Sequence, residues 1–184
     1  MPSCINCTKF DSKKEICSVL NSVPDVSPIR KCVIASLEKH LRPLKDKIIC
    51  EIGCGEWSFA KDIVEKNNCW LGIDPIEYDS KGRKTIRTHE GTVNSIPLPS
   101  NYVDVVLANQ SLEHWHEYKT TFKSGFSEMH RILKPGGILI MNFPIHLHGH
   151  PIFLRGDINK IKRLWNPKLW SQIHFEEWRK EYHP

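Results

Sequence analysis

The chain lacks the features that would indicate a membrane or nucleic-acid-binding protein. No apolar run approaches the roughly 20 residues that a membrane-spanning helix needs, and the N-terminus has no apolar stretch of the signal-peptide type. No tract of lysine or arginine is longer than a pair, although the net charge is +5, so no concentrated basic face is predicted. We therefore expect a cytoplasmic protein without a membrane segment, and nucleic acid is disfavoured as a partner.

The composition predicts a globular domain preceded by a different kind of segment. With 184 residues, of which 40% are apolar and 26% charged, the chain is long enough to bury a substantial core. Residues 1–26 are polar, contain cysteines and show no clear periodicity. Ser27-Pro28 is then a favourable helix start. We therefore predict an N-terminal segment over 1–26 and a folded domain over 27–184.

The most informative stretch runs from Ile48 to Gly55 and reads as a buried strand followed by a glycine turn. Glu51 is the acidic residue near the end of this strand. The next apolar run, 70–73, is followed by a second acidic residue, Asp74. Strand, glycine turn, helix, strand and acidic tip form the first half of a nucleotide-binding α/β unit, in which the acid suits the hydroxyls of a ribose. These residues predict a nucleoside-type ligand.

The residues after the glycine turn narrow the choice of nucleoside. Glu56 and Trp57 place a negative charge and a large ring where the two phosphates of a dinucleotide would lie. No Gly-Lys-Ser or Gly-Lys-Thr follows, which excludes a P-loop. A ligand with a ribose and no phosphate fits better, and S-adenosylmethionine (SAM) is the common one.

Apolar strands alternate with helices along the chain. Strands are predicted at about 47–52, 69–73, 85–88, 102–108 and 138–143, and helices at about 57–67 and 115–133, the second ending at Gly136-Gly137. The second helix has one apolar face, which is predicted to pack in the core: Phe122, Phe126, Met129 and Leu133. The fold class is α/β, Rossmann-like and doubly wound, with a mainly parallel sheet and helices on both faces. Ligands bind such sheets at the carboxyl ends of their strands.

Four ordered blocks resemble the class I SAM-dependent methyltransferases, type 11 branch, over about residues 45–145. They are the turn 51–55, Asp74, the fourth-strand block 101–114 and the block 129–137. The resemblance implies a methyltransferase that binds SAM through ten residues: Glu51, Gly53, Cys54, Gly55, Trp57, Asp74, Pro75, Asn94, Ser95 and Asn109.

The chain departs from the family pattern at three places. Trp57 replaces the third glycine of the turn, and it either packs over the methionine end of the cofactor or caps the core. Thr92 replaces the aspartate that usually holds the adenine amino group, so Asn94 or backbone groups would substitute for it. The family's final antiparallel strand pair has no convincing counterpart after residue 150. We therefore expect the final strand pair to be missing, and truncation of the chain at the C-terminus is one interpretation of that.

Seven cysteines fall into two groups. Cys50 and Cys69 lie in predicted strands and are expected to be small core residues, while Cys54 is a compact spacer in the turn. The N-terminal group has a Cys-x-x-Cys spacing that can present two thiolates to one metal ion. Its four members form a possible ligand set for a structural zinc ion, with unliganded thiols as the alternative: Cys4, Cys7, Cys17 and Cys32.

Histidines follow the fourth and fifth predicted strands, where both loops border the expected acceptor site. The candidates for proton removal from an acceptor hydroxyl are His146, His148 and His114. The alternatives are a solvated loop, a metal site, or, for His114, a role in shaping the site.

The predicted function is SAM-dependent methyl transfer to a small molecule, with a hydroxyl of a metabolite or sugar as the leading acceptor. No Asn-Pro-Pro-Tyr motif follows the fourth strand, where Ala108-Asn109-Gln110-Ser111 stands, so transfer to amino groups of bases or glutamine is disfavoured. One alternative is a module that binds SAM or S-adenosylhomocysteine without catalysis. Another is a partner subunit docked through the aromatic C-terminal segment, and a protein partner or homo-oligomer fits either interpretation.

Overall fold

A computed structural model describes residues 10–11, 16–17 and 28–178, with side chains from residue 31 onward. The chain divides into two compact units. The larger contains Leu44–Ser171, and the smaller contains Met1–Pro43 together with Gln172–Pro184. This division falls after Pro43. The predicted boundary between an N-terminal segment, 1–26, and a folded domain, 27–184, stays a prediction.

Among its described residues, the smaller unit contains a short antiparallel ladder and a helix. Strand β1, Phe10–Asp11, pairs with β2, Ile16–Cys17. Helix α1, Pro28–Leu41, begins where the Ser27-Pro28 signal predicts. Its buried apolar side chains recur at helical spacing: Ile34, Leu37 and Leu41.

The larger unit is built on a five-stranded parallel sheet. Its strands are β3, Ile48–Ile52; β4, Cys69–Asp74; β5, His89–Glu90; β6, Val103–Asn109; and β7, Leu133–Asn142. They lie in the order β5-β4-β3-β6-β7, and every pairing is parallel. Continuous apolar runs such as that of β6 are typical of strands covered on both faces. The predicted α/β class is confirmed.

Helices lie between these strands and after β7. They are α2, Phe59–Val64; a 3₁₀ helix, Leu112–Tyr118; α3, Phe122–Ile132; α4, Pro151–Arg155; and α5, Ile158–Ile161. The single helix predicted over 115–133 is therefore wrong. Lys119 adopts a left-handed conformation with φ 56° and ends the 3₁₀ helix. The Thr121 side chain then caps α3 by accepting a hydrogen bond from the backbone N–H of Ser124.

Two strand positions also differ from the prediction. The third strand forms at 89–90 and not at 85–88, because the Thr88 hydroxyl occupies the Gly72 N–H that a ladder would use. Strand β7 begins at Leu133, which pairs with Val103 before a register shift, so the glycine pair at 136–137 lies inside the strand and does not end a helix. Cys69 is exposed at the start of β4, whereas Cys50 is buried as predicted.

One buried cluster forms the core of the larger unit, and the predicted apolar face of α3 contributes to it. Phe126, Met129 and Leu133 are buried in it and Phe122 packs against it. Among residues 44–171, no strand pairs with the outer edge of β7. No helix within the described residues is long and apolar enough to cross a membrane.

The strand order creates a topological switch point. The chain runs outward from β3 through β4 to β5, and then returns to form β6 on the other side of β3. Loops after β3 and β6 consequently leave the sheet in opposite directions, and a crevice opens at their carboxyl ends. Open α/β sheets bind their ligands in this position.

Candidate functional site

A cleft of about 170 Å³ lies at the switch point. Its lining comes from segments that follow β3, β4, β5 and β6: Ile52, Gly53, Asp74, Pro75, Ile76, Gly91, Thr92, Val93, Gln110, Ser111, His114, Trp115, Tyr118 and Thr120. Of the predicted cofactor residues, the cleft includes Gly53, Asp74 and Pro75. A larger cavity lies beside α4 and α5 and is lined by residues between His150 and Lys160.

The glycine turn gives the cleft its floor. Gly53 has a φ of +72°, and a Cβ added there would lie 2.7 Å from the Cβ of Ser111. The position therefore requires glycine both for its backbone conformation and for the close approach of the β6 loop. Gly55 is also left-handed, with a φ of +60°.

Asp74 ends β4 and lies at the edge of the cleft. Its Oδ2 accepts a hydrogen bond from the Gly55 N–H at 2.9 Å, and its Oδ1 accepts one from the Ile76 N–H at 3.1 Å. These bonds fix the carboxylate between the glycine turn and the following loop. Each oxygen keeps a second lone pair, so the group can still accept hydrogen bonds from a ligand.

Glu51 lies behind the glycine turn and does not line the cleft. Its Oε2 accepts hydrogen bonds from the Ser58 hydroxyl at 2.5 Å and from the Trp70 indole N–H at 3.0 Å. Burial raises the pKa of Glu51 to about 7, although the bonds from Ser58 and Trp70 lower it. Glu51 therefore supports the turn from within.

The remaining predicted cofactor residues lie at the margin of the site. Cys54 is buried under the turn, and burial raises the pKa of its thiol to about 12. Trp57 is 52% exposed. Asn94 and Ser95 are exposed beyond the cleft, and the Asn109 side chain accepts a hydrogen bond from Asn142.

Sequence reasoning missed several residues that line the cleft. Gln110 and Ser111 directly follow the apolar run of β6, and that position was a usable signal. Tyr118 and Thr120 lie where the sequence predicts a continuous helix. They line the cleft because the chain breaks at Lys119, and the sequence pattern does not indicate that break.

The cleft fits a nucleoside with a polar extension. The Ser111 hydroxyl is buried in its wall and has no hydrogen-bond partner within the described residues, which is unusual for a buried polar atom. Thr92 and Val93 line the side beyond Asp74. The site thus offers a carboxylate that accepts hydrogen bonds, an unused hydroxyl and a floor without side chains.

The three predicted catalytic histidines occupy different environments. His114 lines the cleft, and its ring stacks on that of His148 with the centroids 5.1 Å apart. His146 has a φ of +60°, and its Nδ1 lies 3.2 Å from the Leu154 carbonyl oxygen. His146 is therefore held against α4, while the other two are brought together.

Glu113 lies beneath the histidine pair. Its side chain is 0% exposed, and its Oε1 is 3.7 Å from Nε2 of His148. Burial raises the pKa of Glu113 to about 6. No hydrogen bond from another described residue reaches either carboxylate oxygen.

The predicted zinc ligands lie largely outside the described residues. Cys4 and Cys7 fall there, and only the backbone of Cys17 is described. Cys32 is disulfide-bonded, and in that state its sulfur is not a thiolate ligand. The described residues thus give no support for a four-cysteine zinc site.

A profile of the methyltransferase domain family, type 11, matches residues 50–141. The chain belongs to this SAM-dependent methyltransferase family. The matched region begins in β3 and ends in β7, so it spans the strands that form the cleft.

Similar proteins agree with this membership. The methyltransferase chain is 35% identical over 74 residues to the uncharacterized protein YafE of Escherichia coli, covering 40% of this chain and 33% of that protein. It is 31% identical over 104 residues to a probable S-adenosylmethionine-dependent methyltransferase of Mycolicibacterium smegmatis. This match covers 52% of this chain and 37% of that protein. The matched region is thus about a third of the length of these curated relatives.

The fold is shared with solved structures. A SAM-dependent methyltransferase from Aquifex aeolicus aligns with a TM-score of 0.53 at 17% identity, covering 71% of this chain and 76% of that one. At this identity the likeness shows the fold, and the acceptor has to be argued from the site.

Proposed function

We propose that this chain binds SAM in the cleft and transfers its methyl group to a small molecule, at a hydroxyl of a metabolite or sugar. The observation that supports the proposal most strongly is the position of Asp74. Its carboxylate is fixed by two backbone N–H groups at the switch point, and its oxygens keep lone pairs that can accept further hydrogen bonds. A carboxylate at this place suits the paired hydroxyls of a ribose.

The other cleft residues can be assigned to the rest of the cofactor. Thr92 and Val93 would lie beside the adenine, with backbone groups in place of the missing aspartate. Gly53 and the unpaired Ser111 hydroxyl would receive the methionine end. When bound, SAM supplies a methyl group activated by a sulfonium centre, so the protein's main contribution is alignment and the exclusion of water.

A histidine is the proposed acceptor of the proton that the hydroxyl loses. Of the three predicted residues, His114 has the best support, because it lines the cleft and its Nδ1 contacts Oε1 of Glu117 at 2.6 Å. That contact leaves Nε2 available to a proton. His148 lies beside it, while the contact of His146 with Leu154 supports a role in holding the loop.

The proposal is tested by incubating the chain with SAM and pools of hydroxylated metabolites and sugars, and measuring S-adenosylhomocysteine. We expect acceptor-dependent product, and His114→Ala should reduce turnover by roughly 10²–10⁴-fold. His130→Ala, an exposed histidine outside the cleft, is the matched control and should retain activity. SAM binding without turnover on any pool would favour the non-catalytic binding module. A cytoplasmic location and a protein partner or homo-oligomer remain predictions.

A further inference from the structure

The buried carboxylate of Glu113 is the most conspicuous unpaired polar group near the cleft. Its side chain has no exposed surface, and neither oxygen has a hydrogen-bond partner within the described residues. Buried carboxylates are normally hydrogen-bonded, paired with a cation or bound to a metal. Glu113 has lost its water without gaining a hydrogen bond from another described residue, and the ion-pair contact that the structure gives it is with His148.

Two histidines face this carboxylate at distances too long for hydrogen bonds. Nε2 of His148 is 3.7 Å from Oε1 of Glu113. One ligand atom from each of Glu113, His114 and His148 lies within 4.8 Å of the other two, and these are the residues from the described part of the chain that group in this way. The three groups therefore surround a space without bonding directly to one another.

His114 is oriented for this space by a second carboxylate. Its Nδ1 lies 2.6 Å from Oε1 of Glu117, which favours the tautomer with the proton on Nδ1 and leaves Nε2 as the free donor atom. Histidines that bind metals commonly donate their other ring N–H to a carboxylate in this way.

The loop after β7 is shaped to lie over Glu113. Gly149 has a φ of +88°, and a Cβ there would lie 2.6 Å from the Cβ of Glu113. The backbone N–H of His150 donates to the carbonyl oxygen of Glu113 at 2.9 Å. The loop is thus fixed against the 3₁₀ helix on both sides of Gly149, and His148 is held above the buried carboxylate.

We propose that Glu113, His114 and His148 bind a divalent transition-metal ion of the zinc(II) or iron(II) class. Two imidazoles and one carboxylate form a donor set typical of such ions. Bond lengths of about 2.0–2.2 Å require the donor atoms to draw together. The two histidine side chains are 39% and 43% exposed, so solvent-filled space beside them allows small shifts of the rings toward Glu113.

Three protein ligands leave a coordination position open, as in catalytic metal sites. His114 lines the SAM cleft, so the open position would adjoin the methyl acceptor. A hydroxyl bound to the ion would lose its proton more readily. This consequence rests on the proposed function. With an ion bound, His114 and His148 would be ligands, the proton of the hydroxyl would pass to solvent water, and the methyl group would move from the sulfonium to the resulting alkoxide.

The site is tested by stripping the whole chain with a chelator and titrating it with Co²⁺, whose absorption reports coordination, and with Zn²⁺ by calorimetry. We expect one site that is lost or weakened at least about tenfold in Glu113→Gln and His148→Ala. Glu117→Gln should weaken binding by about 10–100-fold through the orientation of His114. His116→Ala, on the same 3₁₀ helix but outside the cluster, should bind as the unchanged chain does.

Cysteine ligation is distinguished by the same variants, because His148→Ala leaves every thiol intact. Because the side chain of His148 is exposed, we expect His148→Ala to fold normally. This variant therefore tests the site even if Glu113→Gln disturbs folding. Equal Co²⁺ affinity in His148→Ala and the unchanged chain would overturn the proposal, as would binding of Mg²⁺ alone. Metal binding without SAM binding would contradict the proposed function and leave this site standing.

Discussion

Gly53 and Gly82 have nearly the same backbone conformation but different surroundings. Their φ angles are +72° and +73°. A Cβ at 53 would lie 2.7 Å from the Cβ of Ser111, whereas nothing lies within 4 Å of a Cβ at 82. Both positions favour glycine for its backbone freedom, but only Gly53 is also required for space.

Alanine substitutions at these two glycines should therefore separate strain from crowding. Gly82→Ala should cost about 1–2 kcal/mol in the free energy of unfolding, the price of a left-handed alanine. Gly53→Ala should cost about 1–3 kcal/mol more, because the β6 loop must move, and it should also weaken SAM binding. Urea unfolding and calorimetry measure both effects. Equal losses in the two variants would show that the contact with Ser111 does not constrain the turn.

Glu51 should make stability depend on pH. Its pKa is raised from 4.5 to about 7 by burial, so protonation favours the folded state. The stability that it contributes is complete below the unfolded pKa and is lost as the pH rises through about 7. The loss amounts to roughly 2–3 kcal/mol between pH 5 and pH 8.

Glu51→Gln should flatten this pH dependence, because the amide does not titrate. The measurement is the free energy of unfolding of both proteins from pH 5 to pH 8. Glu65→Gln, on the exposed side of the same region, is the control and should keep the slope of the unchanged chain. A slope in Glu51→Gln as steep as that of the unchanged chain would contradict the assignment.

At the level of residues, the sequence predicts positions at strand ends better than it predicts contacts. Asp74 and Gly53 are predicted as cofactor residues because each follows an apolar run, and both line the cleft. The isolation of Glu113 was not predictable, since it depends on a loop from β7 closing over a helix that follows β6. Such contacts join segments more than 30 residues apart, and local patterns do not encode them.

Among the secondary-structure elements, the break between the 3₁₀ helix and α3 determines part of the cleft lining. It turns the chain between residues 118 and 122, which places Tyr118 and Thr120 in the cleft lining. The helical spacing of apolar residues continues across this break, so the sequence predicts a single helix over about 115–133. A left-handed lysine and a threonine cap decide the local structure, and neither alters the apolar period.

Thr121→Ala should destabilise the domain by about 1 kcal/mol, because the first turn of α3 loses its cap. Thr121→Ser keeps the hydroxyl and should retain most of the stability. Thermal or urea unfolding of the three proteins measures the difference. If alanine and serine behave alike, the hydroxyl does not stabilise the helix start.

Across the whole molecule, the order of five parallel strands explains why residues distant in sequence meet in one cleft. Segments after β3, β4, β5 and β6 all contribute, since parallel strands end at the same edge of the sheet. This much was predictable from apolar runs and acidic tips. The division of the chain after Pro43 was not, because it depends on long-range contacts that composition does not reveal.

The most direct test of the central claim is calorimetric titration of the chain with SAM, alongside Asp74→Ala and Asp79→Ala. We expect saturable binding to the unchanged chain and to Asp79→Ala, whose carboxylate pairs with Arg83 away from the cleft. Asp74→Ala should lose about 2–4 kcal/mol of binding free energy, since two hydrogen bonds to a charged acceptor disappear. Asp74→Asn, with unchanged circular dichroism, separates loss of charge from loss of fold. Equal SAM affinity in folded Asp74→Ala and the unchanged chain, or no SAM binding to the unchanged chain, would contradict the account.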